Sequence, residues 1–456
     1  MSDSQSNQQF DPAAPNTGSE FEPVDIFEDS DGFDLRPGAD SCYKCSTCDT
    51  NCPVAEVDDD FPGPKFQGPE QWRLKRRDDA HGVDESVMDC SNCMRCDNAC
   101  PSGVPLSQMH NTARGEYVSE EMNTFSLEYV RNRILANYRK SAWFASKVPR
   151  LANAMANFGP ARWLGERLLG VTGEREFPEF ATETFTSWWA GQGGAAGSKE
   201  RAREARERRG EPVDADKRIA YFHGCYAEYN TPEVAKALVR VYEHFGYEIV
   251  VPEQGCSGTP MFANGMLDDA RRDAEINVSS LADLVAEGYD AIASCTSCSM
   301  ALRQEYPELF DIDGIDDVAA NTFESVEYLR IHEDLTDELD DADVDGDLAA
   351  EFAYHAPCHA RNQGLDRQAV ELFGDLDGVG IEDVGDSCSG ISGTYGWKVE
   401  KYEKSMAIGE EMFDHMSDAD GETGMTECPT CAMQMAHGTG YEVRHPVELL
   451  EAAVVP

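Results

Sequence analysis

Long apolar runs and glycine-rich nucleotide-binding motifs are both missing from this sequence. No apolar run approaches the roughly 18 to 20 residues that a membrane-spanning helix needs, and no hydrophobic signal segment opens the chain. The pattern G-x-G-x-x-G opening a βαβ unit is also absent, which argues against a dinucleotide-binding domain. We therefore expect a soluble, cytoplasmic protein without such a domain.

Lysine is scarce as well, at 11 of 38 cationic residues, while Asp and Glu number 86 and the formal net charge is -48. An acidic surface that is poor in lysine indicates adaptation to high salt, where electrostatic screening shrinks to a few Å. It argues against nucleic acid as a partner. Because the later acidic residues alternate with apolar periodic segments, the acidity is not confined to one tail.

What the sequence has in abundance is cysteine. Eight of the sixteen cysteines form two copies of the spacing C-x2-C-x2-C-x3-C-P, in residues 42–53 and 90–101. In bacterial ferredoxins the first three cysteines of such a run bind one [4Fe-4S] cluster and the fourth binds the other. The spacing therefore predicts two clusters, held by Cys42, Cys45, Cys48 and Cys100 and by Cys90, Cys93, Cys96 and Cys52. A pair of zinc knuckles is the alternative, but zinc requires four thiolates per ion instead of three plus one.

The N-terminal half divides by composition. Residues 1–38 carry nine acids and one base, which predicts a disordered acidic leader. Residues 39–121 are predicted to be a helical ferredoxin-type domain, because Pro and Gly interrupt the 37-residue spacer between Cys52 and Cys90 and its later part has a helical pattern.

Residues 122–212 are predicted to be a basic helical connector. Between Arg131 and Arg175 nine cations and two anions give a local charge of +7. Basic residues that alternate with Trp, Phe and Leu at helical spacing favour a segment lying on a membrane surface. The alternative is a linker whose aromatic side chains pack on the neighbouring domain and whose arginines pair with local acids.

The second half is an internal duplication. Four cysteines recur at an offset of 132 or 133 residues, namely Cys225, Cys256, Cys295 and Cys298 as Cys358, Cys388, Cys428 and Cys431. Short apolar strands alternate with helical segments, which predicts parallel α/β units in two cysteine-rich repeats, 213–310 and 349–456, separated by an acidic connector, 311–348. Each cysteine follows a predicted strand end, so the ligands share one sheet edge. The predicted fold class is multidomain α+β.

Each repeat resembles the cysteine-rich domain of heterodisulfide-reductase-like proteins, whose middle element is Cys-Cys-Gly. Here Ser257 and Ser389 stand in place of the second cysteine. Noncubane clusters in that family use both adjacent cysteines, so this departure argues against such clusters. Four thiolates per repeat suffice for an ordinary [4Fe-4S] cluster or for zinc. We favour an iron–sulfur centre in at least one repeat, with serine oxygen as a weaker possible ligand.

Six further stretches resemble the iron–sulfur C subunits of anaerobic glycerol-3-phosphate dehydrogenases, and the likeness runs from about residue 40 to the C-terminus. They are 61–65 (FPGPK), 222–225 (FHGC), 263–265 (ANG), 301–308 (ALRQEYPE), 354–359 (YHAPCH) and 393–396 (GTYG). The resemblance implies a non-catalytic electron-transfer subunit that works with a flavin-bearing catalytic subunit and a second subunit. It would pass electrons toward quinone at the cytoplasmic face of the membrane. His223, His355 and His359 match family positions beside ligands, where they tune clusters or serve as structural histidines.

Three alternatives remain open. The chain could belong to a glycolate or lactate oxidase, or to a heterodisulfide reductase, although the latter should retain Cys-Cys-Gly. In a third alternative the repeats bind zinc and dock the catalytic subunits on the membrane. The sequence predicts no residue of a quinone site.

Overall fold

Two four-stranded parallel sheets form the C-terminal half of the protein. The computed structural model describes residues 41–75, 82–340, 342, 350–374, 376, 378–385 and 387–455, and the predicted leader lies outside them. The first sheet has the order β2-β1-β3-β4 and the second the order β6-β5-β7-β8. The strands are β1 Arg218–Phe222, β2 Glu248–Val250, β3 Asp290–Ala293, β4 Thr322–Glu324, β5 Glu351–Tyr354, β6 Gly380–Asp383, β7 Thr423–Met425 and β8 Glu442–Arg444.

The first sheet follows the predicted alternation of strands and helices. β1 is buried from Ile219 to Phe222, as expected for a central parallel strand covered on both faces. It pairs in parallel with β2 on one side and β3 on the other. The helices of this region are α12 Tyr226–Tyr229, α13 Pro232–His244, α14 Thr259–Phe262, α15 Leu267–Ala286, α16 Thr296–Met300, α17 Tyr306–Leu309, α18 Ile315–Ala320, α19 Ser325–His332 and α20 Leu335–Asp340, with a π-helical turn at Ala301–Glu305.

The segment that the sequence analysis assigned to an acidic connector supplies the fourth strand of this sheet. β4 pairs in parallel with β3, with Ala293 opposite Glu324. The buried Glu324 side chain then accepts hydrogen bonds from Val326 N and Glu327 N, which caps α19. Residues 311–340 are thus part of the first α/β unit.

The second sheet repeats this arrangement, with β5 between β6 and β7. One apolar core contains β1 residues, such as Ile219 and Tyr221, and β5 residues, such as Phe352 and Tyr354. The two α/β units therefore share a core. The helices of the second unit are α21 Cys358–Arg361, α22 Gln368–Phe373, α23 Val399–Asp418, α24 Pro429–Thr439 and α25 Pro446–Val454, with a 3-10 turn at Tyr395–Trp397.

The region before the sheets is helical, and its described residues contain no strand. Its first part comprises α1 Thr47–Thr50, α2 Pro53–Val57, α3 Gln71–Lys75, α4 Arg95–Ala99 and α5 Leu106–Glu116, with π-helical turns at Phe66–Glu70 and Tyr117–Glu121 and a 3-10 turn at Glu85–Asp89. The connector that follows comprises α6 Leu127–Ala136, α7 Tyr138–Ala145, α8 Pro149–Ala156, α9 Gly159–Leu169, α10 Phe185–Gly191 and α11 Gly194–Arg209. Among the described residues, no helix combines the length and the apolar character needed to span a bilayer.

Candidate metal centres and ligand cavity

The two ferredoxin-type cysteine runs have the same backbone conformation. Lys44 and Ser46 in the first run, and Asn92 and Met94 in the second, all have φ between 56° and 64°. Left-handed backbone costs a non-glycine residue about 1 kcal/mol or more, so it persists only where the surroundings require it. These left-handed residues curve each loop around the space between its three cysteines, as binding of a cluster would require.

An aspartate holds each loop to the rest of the domain. Asp49 accepts a hydrogen bond from Lys65 N at 3.0 Å, and Asp97 accepts one from Ser107 N at 3.1 Å. Each aspartate directly follows the third cysteine of its run. The equivalent contacts help to offset the strain of both loops.

The fourth cysteine of each run lies with the thiols of the other run. Burial, together with the nearby thiols of Cys42 and Cys100, raises the pKa of Cys48 to about 12. Cys45 is exposed, and its thiol lies 3.3 Å from the Thr47 hydroxyl. The structure thus brings Cys42, Cys48 and Cys100 of the first predicted set near one another.

The second predicted set lies deeper. Burial raises the pKa of Cys96, and the thiols of Cys93, Cys90 and Cys52 contribute to the same shift. The pKa of Cys52 is raised by burial and by Cys93 and Cys90. The structure therefore brings all four thiols of this set together, including the one from the first run.

His110 and Arg114 support the second set, and the sequence analysis named neither. The His110 ring lies 3.8 Å from the Cys90 thiol and 3.0 Å from Pro64 O, and Arg114 donates to Cys90 O at 3.2 Å. Burial acts to raise the Cys90 pKa, but the hydrogen bond with His110 and the Arg114 charge prevail and lower this pKa to about 6. A buried thiol that is largely ionised at neutral pH is suited to binding iron.

All eight cysteines of the repeats line a single cavity of about 600 Å³. They lie beyond the carboxyl ends of the strands, as predicted, but the two sheets direct these ends toward each other. The Cys295 thiol lies beside Cys428 of the other repeat, and the Cys225 thiol lies beside Cys256. The residues are therefore not two separate sets, because Cys295 and Cys428 join them.

Thiol contacts also connect this cavity to the ferredoxin-type domain. The Cys388 thiol lies beside Cys358 in its own repeat and beside Cys93 of the second ferredoxin set, and these neighbours raise the Cys388 pKa. Cys93 itself lines the cavity. Cys388 thus links the second ferredoxin set to the repeats.

Ser257 and Ser389 occupy equivalent positions in the cavity. The Ser257 hydroxyl lies 3.3 Å from the Cys298 sulfur, and the Ser389 hydroxyl lies 3.3 Å from the Cys431 sulfur. A hydroxyl at each of these points does not fit a noncubane cluster, in which a second adjacent thiolate is needed. The four remaining thiols of each repeat are soft donors suited to an ordinary iron–sulfur cluster or to zinc.

Each first cysteine of a repeat has an arginine beside it. Arg361 donates to the Cys358 sulfur at 3.4 Å from the same helix turn. In the first repeat the guanidinium comes from Arg139 of the connector, which contributes to lowering the Cys225 pKa, after the hydrogen bond with Cys256. The position equivalent to Arg361 is Glu228, so spacing alone did not indicate this contact.

The three histidines singled out in the sequence have different surroundings. His359 joins the domains, with Nδ1 3.0 Å from Ser297 Oγ and Nε2 3.3 Å from Asn92 O. His223 Nδ1 lies 2.8 Å from Gly224 O. His355 is fully buried, and neither of its ring nitrogens has a hydrogen-bond partner among the described residues. Burial lowers the pKa of His223 and of His355 to about 3, so both are neutral.

The connector exposes a large apolar surface, which we call the apolar helix face. Of eighteen large apolar side chains exposed in the described part of the chain, thirteen belong to this face. They are Phe125, Leu127, Val130, Ile134, Trp143, Phe144, Val148, Leu151, Met155, Phe158, Trp163, Leu164 and Leu168. Large apolar side chains exposed in such number within one segment favour an interaction site.

Not all cations of the connector belong to that face. Arg131 is only 5% exposed and donates to both carboxylate oxygens of Glu400, at 2.9 and 2.6 Å. Buried Arg175 donates to Gly396 O at 2.7 Å. Lys147, Arg150 and Arg167 are exposed. The segment therefore combines arginines bound to the second repeat with an exposed apolar and basic surface. The linker alternative predicted pairing of the arginines with local acids, but the partner of Arg131 lies in another domain.

Comparisons with known proteins also separate the ferredoxin-type region from the two repeats. A family model described as a 4Fe-4S dicluster domain matches residues 38–104, and one described as a cysteine-rich domain matches 219–303 and again 352–436. The chain is 30% identical to the C subunit of the anaerobic glycerol-3-phosphate dehydrogenase of Escherichia coli K12, over 91% of this chain and 98% of that protein.

Two further similar proteins have lower identity to this chain. The B subunit of the CoM/CoB fumarate reductase of Methanothermobacter marburgensis is 25% identical over 90% of this chain and 72% of its own length. Lactate utilization protein A of Geobacillus kaustophilus is 24% identical over 52% of this chain and 99% of its own length.

Proposed function

The chain belongs to the family of anaerobic glycerol-3-phosphate dehydrogenase C subunits, and we propose that it carries electrons from a flavin-bearing partner subunit toward membrane quinone. The observation that supports this most directly is the continuous series of thiols. The series runs from the exposed Cys45, through the second ferredoxin set, to Cys388 and the cavity. In this proposal the chain contains no group that touches glycerol 3-phosphate.

The eight ferredoxin-type cysteines are proposed to hold two [4Fe-4S] clusters, as assigned from their spacing. When bound, each cluster takes up and releases one electron at a time. The protein contributes the wound loops, the burial that excludes water and the hydrogen bond from His110 to Cys90. The repeats are proposed to hold at least one further iron–sulfur centre.

The overall reaction balances between the partner subunit and quinone. Oxidation of the secondary alcohol of glycerol 3-phosphate to a ketone releases two electrons and two protons, and reduction of a quinone to a quinol consumes both. A partner that releases electrons in pairs and clusters that accept them singly require an intermediary such as flavin.

The partner subunit is proposed to dock at the first ferredoxin set. Tyr43 is 84% exposed and Cys45 lies at the surface beside it. The second set is more buried, between the first set and the repeats. Electrons from outside the chain would therefore reach the first set over the shorter distance.

We further propose that the apolar helix face lies on the cytoplasmic surface of the membrane. Its apolar side chains would enter the headgroup layer, while Lys147, Arg150 and Arg167 would face anionic lipid. Peripheral contact of this kind requires no spanning helix. It would place the chain beside the quinone pool.

The cluster assignment is tested in the purified complex of the three subunits, kept anaerobic. We expect about eight irons per chain from the ferredoxin-type domain, and about twelve to sixteen if the repeats also hold clusters. Cys100→Ala should remove the EPR signal of the cluster held by the first run, and Cys52→Ala that of the second. The opposite pairing would contradict the assignment. Stoichiometric zinc without a third EPR signal would favour the docking scaffold.

Membrane contact is tested by co-sedimentation with vesicles of anionic phospholipid. Phe144→Glu combined with Trp163→Glu should reduce binding at least tenfold, because two charges would have to enter the apolar layer. Ile331→Glu is the matched control, since Ile331 is also exposed but lies outside the face. Equal loss in both variants, or in neither, would leave only the linker interpretation. Charge reversal at Arg131 is unsuitable because it would break the pair with Glu400.

A further inference from the structure

The second repeat binds the backbone of loop 90–93, which carries two cysteines of the second ferredoxin set. Three successive carbonyl oxygens of this loop have polar side chains of the second repeat as partners. The partners of Ser91 O, Asn92 O and Cys93 O are Ser392 Oγ, His359 Nε2 at 3.3 Å and Asn362 Nδ2 at 3.3 Å. A different domain therefore holds this cysteine loop in place.

Tyr395 belongs to the same contact region. It begins the 3-10 turn Tyr395–Trp397, and its N–H donates to Ser392 O at 3.1 Å. The tyrosine is part of a buried apolar cluster against which three cysteines of the second ferredoxin set pack, namely Cys52, Cys90 and Cys93. The contact of Ser392 with the cysteine loop thus brings Tyr395 beside the second ferredoxin set.

The Tyr395 hydroxyl is a buried donor without a protein partner. The residue is 4% exposed, and its Oη has no hydrogen-bond partner among the described residues. Burial raises the Tyr395 pKa, as do the Asp58 carboxylate and the thiols of Cys90 and Cys52. The hydroxyl therefore keeps its proton at neutral pH. Because a buried hydroxyl without an acceptor costs free energy, a bound group that accepts its hydrogen bond would remove this cost.

The charged groups around the tyrosine are already engaged. Lys401 Nζ lies 5.7 Å from the Tyr395 ring centroid and forms an ion pair with Asp89. Lys404, on the same helix α23, forms an ion pair with Asp58. The carboxylates of this region thus have lysine partners, whereas the cysteines packed against the tyrosine are proposed to hold a cluster that contains further sulfur atoms.

We infer that the second repeat completes the site of the second ferredoxin cluster, and that the Tyr395 hydroxyl donates a hydrogen bond to a sulfur atom of that cluster. The inference rests on the proposed assignment of two [4Fe-4S] clusters and gives the second of them a residue from outside the ferredoxin-type domain. It also assigns a role to the stretch 393–396 (GTYG). An added electron makes a cluster more negative, so a hydrogen-bond donor stabilises the reduced form more and raises the potential.

The test is an EPR-monitored redox titration of the anaerobic three-subunit complex. Tyr395→Phe keeps the ring and removes the hydroxyl. It should favour the oxidised form of the second cluster about twofold to tenfold, which lowers its potential by about 20 to 60 mV for one electron. The first cluster should keep its potential. Tyr402→Phe is the matched control, since Tyr402 lies in the same repeat and its hydroxyl is 3.0 Å from His437 Nε2. It should leave both potentials unchanged.

A second variant gives a shift of opposite sign. Incorporation of 3-fluorotyrosine at position 395 alone keeps the hydroxyl and makes it a stronger donor, because the fluorine increases the acidity of the phenol. The potential of the second cluster should therefore rise. If Tyr395→Phe does not assemble, this variant decides the matter. Wild-type potentials in the Tyr395 variants would overturn the inference, and so would an equal downward shift in Tyr402→Phe.

Failure of the proposed function gives a different result. If the potentials shift as expected but glycerol 3-phosphate reduces neither cluster, the tyrosine contact stands and the electron-transfer proposal fails. If glycerol 3-phosphate reduces both clusters but the Tyr395 variants titrate like the wild type, the electron-transfer proposal stands and the inference fails. If Cys52→Ala leaves the second EPR signal intact, the cluster assignment fails and the inference fails with it.

Discussion

The two cysteine-rich repeats have the same internal plan and different neighbours. In both, a serine lies 3.3 Å from the last cysteine of the repeat. In the second repeat the middle cysteine, Cys388, contacts Cys93 of the ferredoxin-type domain. In the first repeat the middle cysteine, Cys256, is held within its own unit, since its N–H donates to Asp273 and its carbonyl accepts from Asn277.

The neighbours differ in the same way at the first cysteine of each repeat. The second repeat uses its own Arg361, whereas the first uses Arg139 of the connector, the segment that carries the apolar helix face. The first cysteines thus differ in the source of the nearby guanidinium. Both repeats contact the ferredoxin-type domain and the connector, but through different residues.

The largest effect on stability is expected at Lys398, where the second repeat contacts the connector. Burial, with the Arg131 charge, lowers the pKa of Lys398 from 10.5 to about 7. Between these values the unfolded chain keeps a proton that the folded chain has released, so stability rises with pH from about 7 to 10.5. Lys398→Met should remove this slope and add up to about 4 kcal/mol at pH 7.

The measurement is the midpoint of thermal unfolding as a function of pH. The control is internal, since the two proteins should converge above pH 10.5, where the lysine is neutral in both states. A variant that keeps the wild-type pH slope would show that Lys398 is not the group responsible.

The next largest effect on stability is expected at Arg139 and Arg361. A hydrogen bond to a charged group is worth about 1.5 to 3 kcal/mol, so Arg139→Met and Arg361→Met should cost similar stability. The location of the effect should differ. Hydrogen exchange should increase in α7 for Arg139→Met, and around Ser387, whose carbonyl accepts from Arg361 at 3.0 Å, for Arg361→Met. Identical exchange patterns would remove the distinction between the repeats.

A smaller effect is expected at the contact between Cys388 and Cys93. The Cys388 sulfur lies beside Cys93, a predicted ligand of the second ferredoxin cluster, and the groups next to a ligand sulfur tune a cluster's potential. Cys388→Ala should therefore shift the potential of that cluster by a few tens of millivolts, given about 1.4 kcal/mol per 59 mV for one electron. The shift is downward if Cys388 is a thiol that donates to Cys93, and upward if it is a thiolate that holds metal in the repeat. Cys256→Ala should leave that potential unchanged. An EPR-monitored titration of both variants makes the comparison, and equal shifts would refute the asymmetry.

Local patterns in the sequence were sufficient for the elements of the repeats. The predicted alternation of short apolar strands with helices is seen, for example, in the strand Arg218–Phe222 and the helix Pro232–His244, because alternating apolar segments encode local structure. The assignment of the ferredoxin-type cysteines to two clusters also depends on local spacing, and it stays a prediction. Such patterns are formed by residues that are close together in the sequence, so the sequence alone is sufficient to recognise them.

Contacts between domains could not be predicted in this way. Arg131 was counted among the exposed cations, yet its partner Glu400 lies 269 positions away. The meeting of Cys295 with Cys428 depends on how two sheets share one core, and no spacing records that.

The smallest effect on stability is expected at Ser257 and Ser389. These two serines also give the strictest test of whether the two repeats are equivalent. Ser257→Ala and Ser389→Ala each remove one hydroxyl with a sulfur partner at 3.3 Å, so each should cost about 1 kcal/mol or less in the free energy of unfolding. Because the two geometries match, the two losses should agree within about 0.5 kcal/mol, and the double variant should show their sum. A loss in one serine variant that is several-fold larger would mean that its hydroxyl does more than bond to a thiol. The metal content of that variant would then show whether the serine oxygen is a ligand, since loss of a ligand releases metal and loss of a hydrogen bond does not.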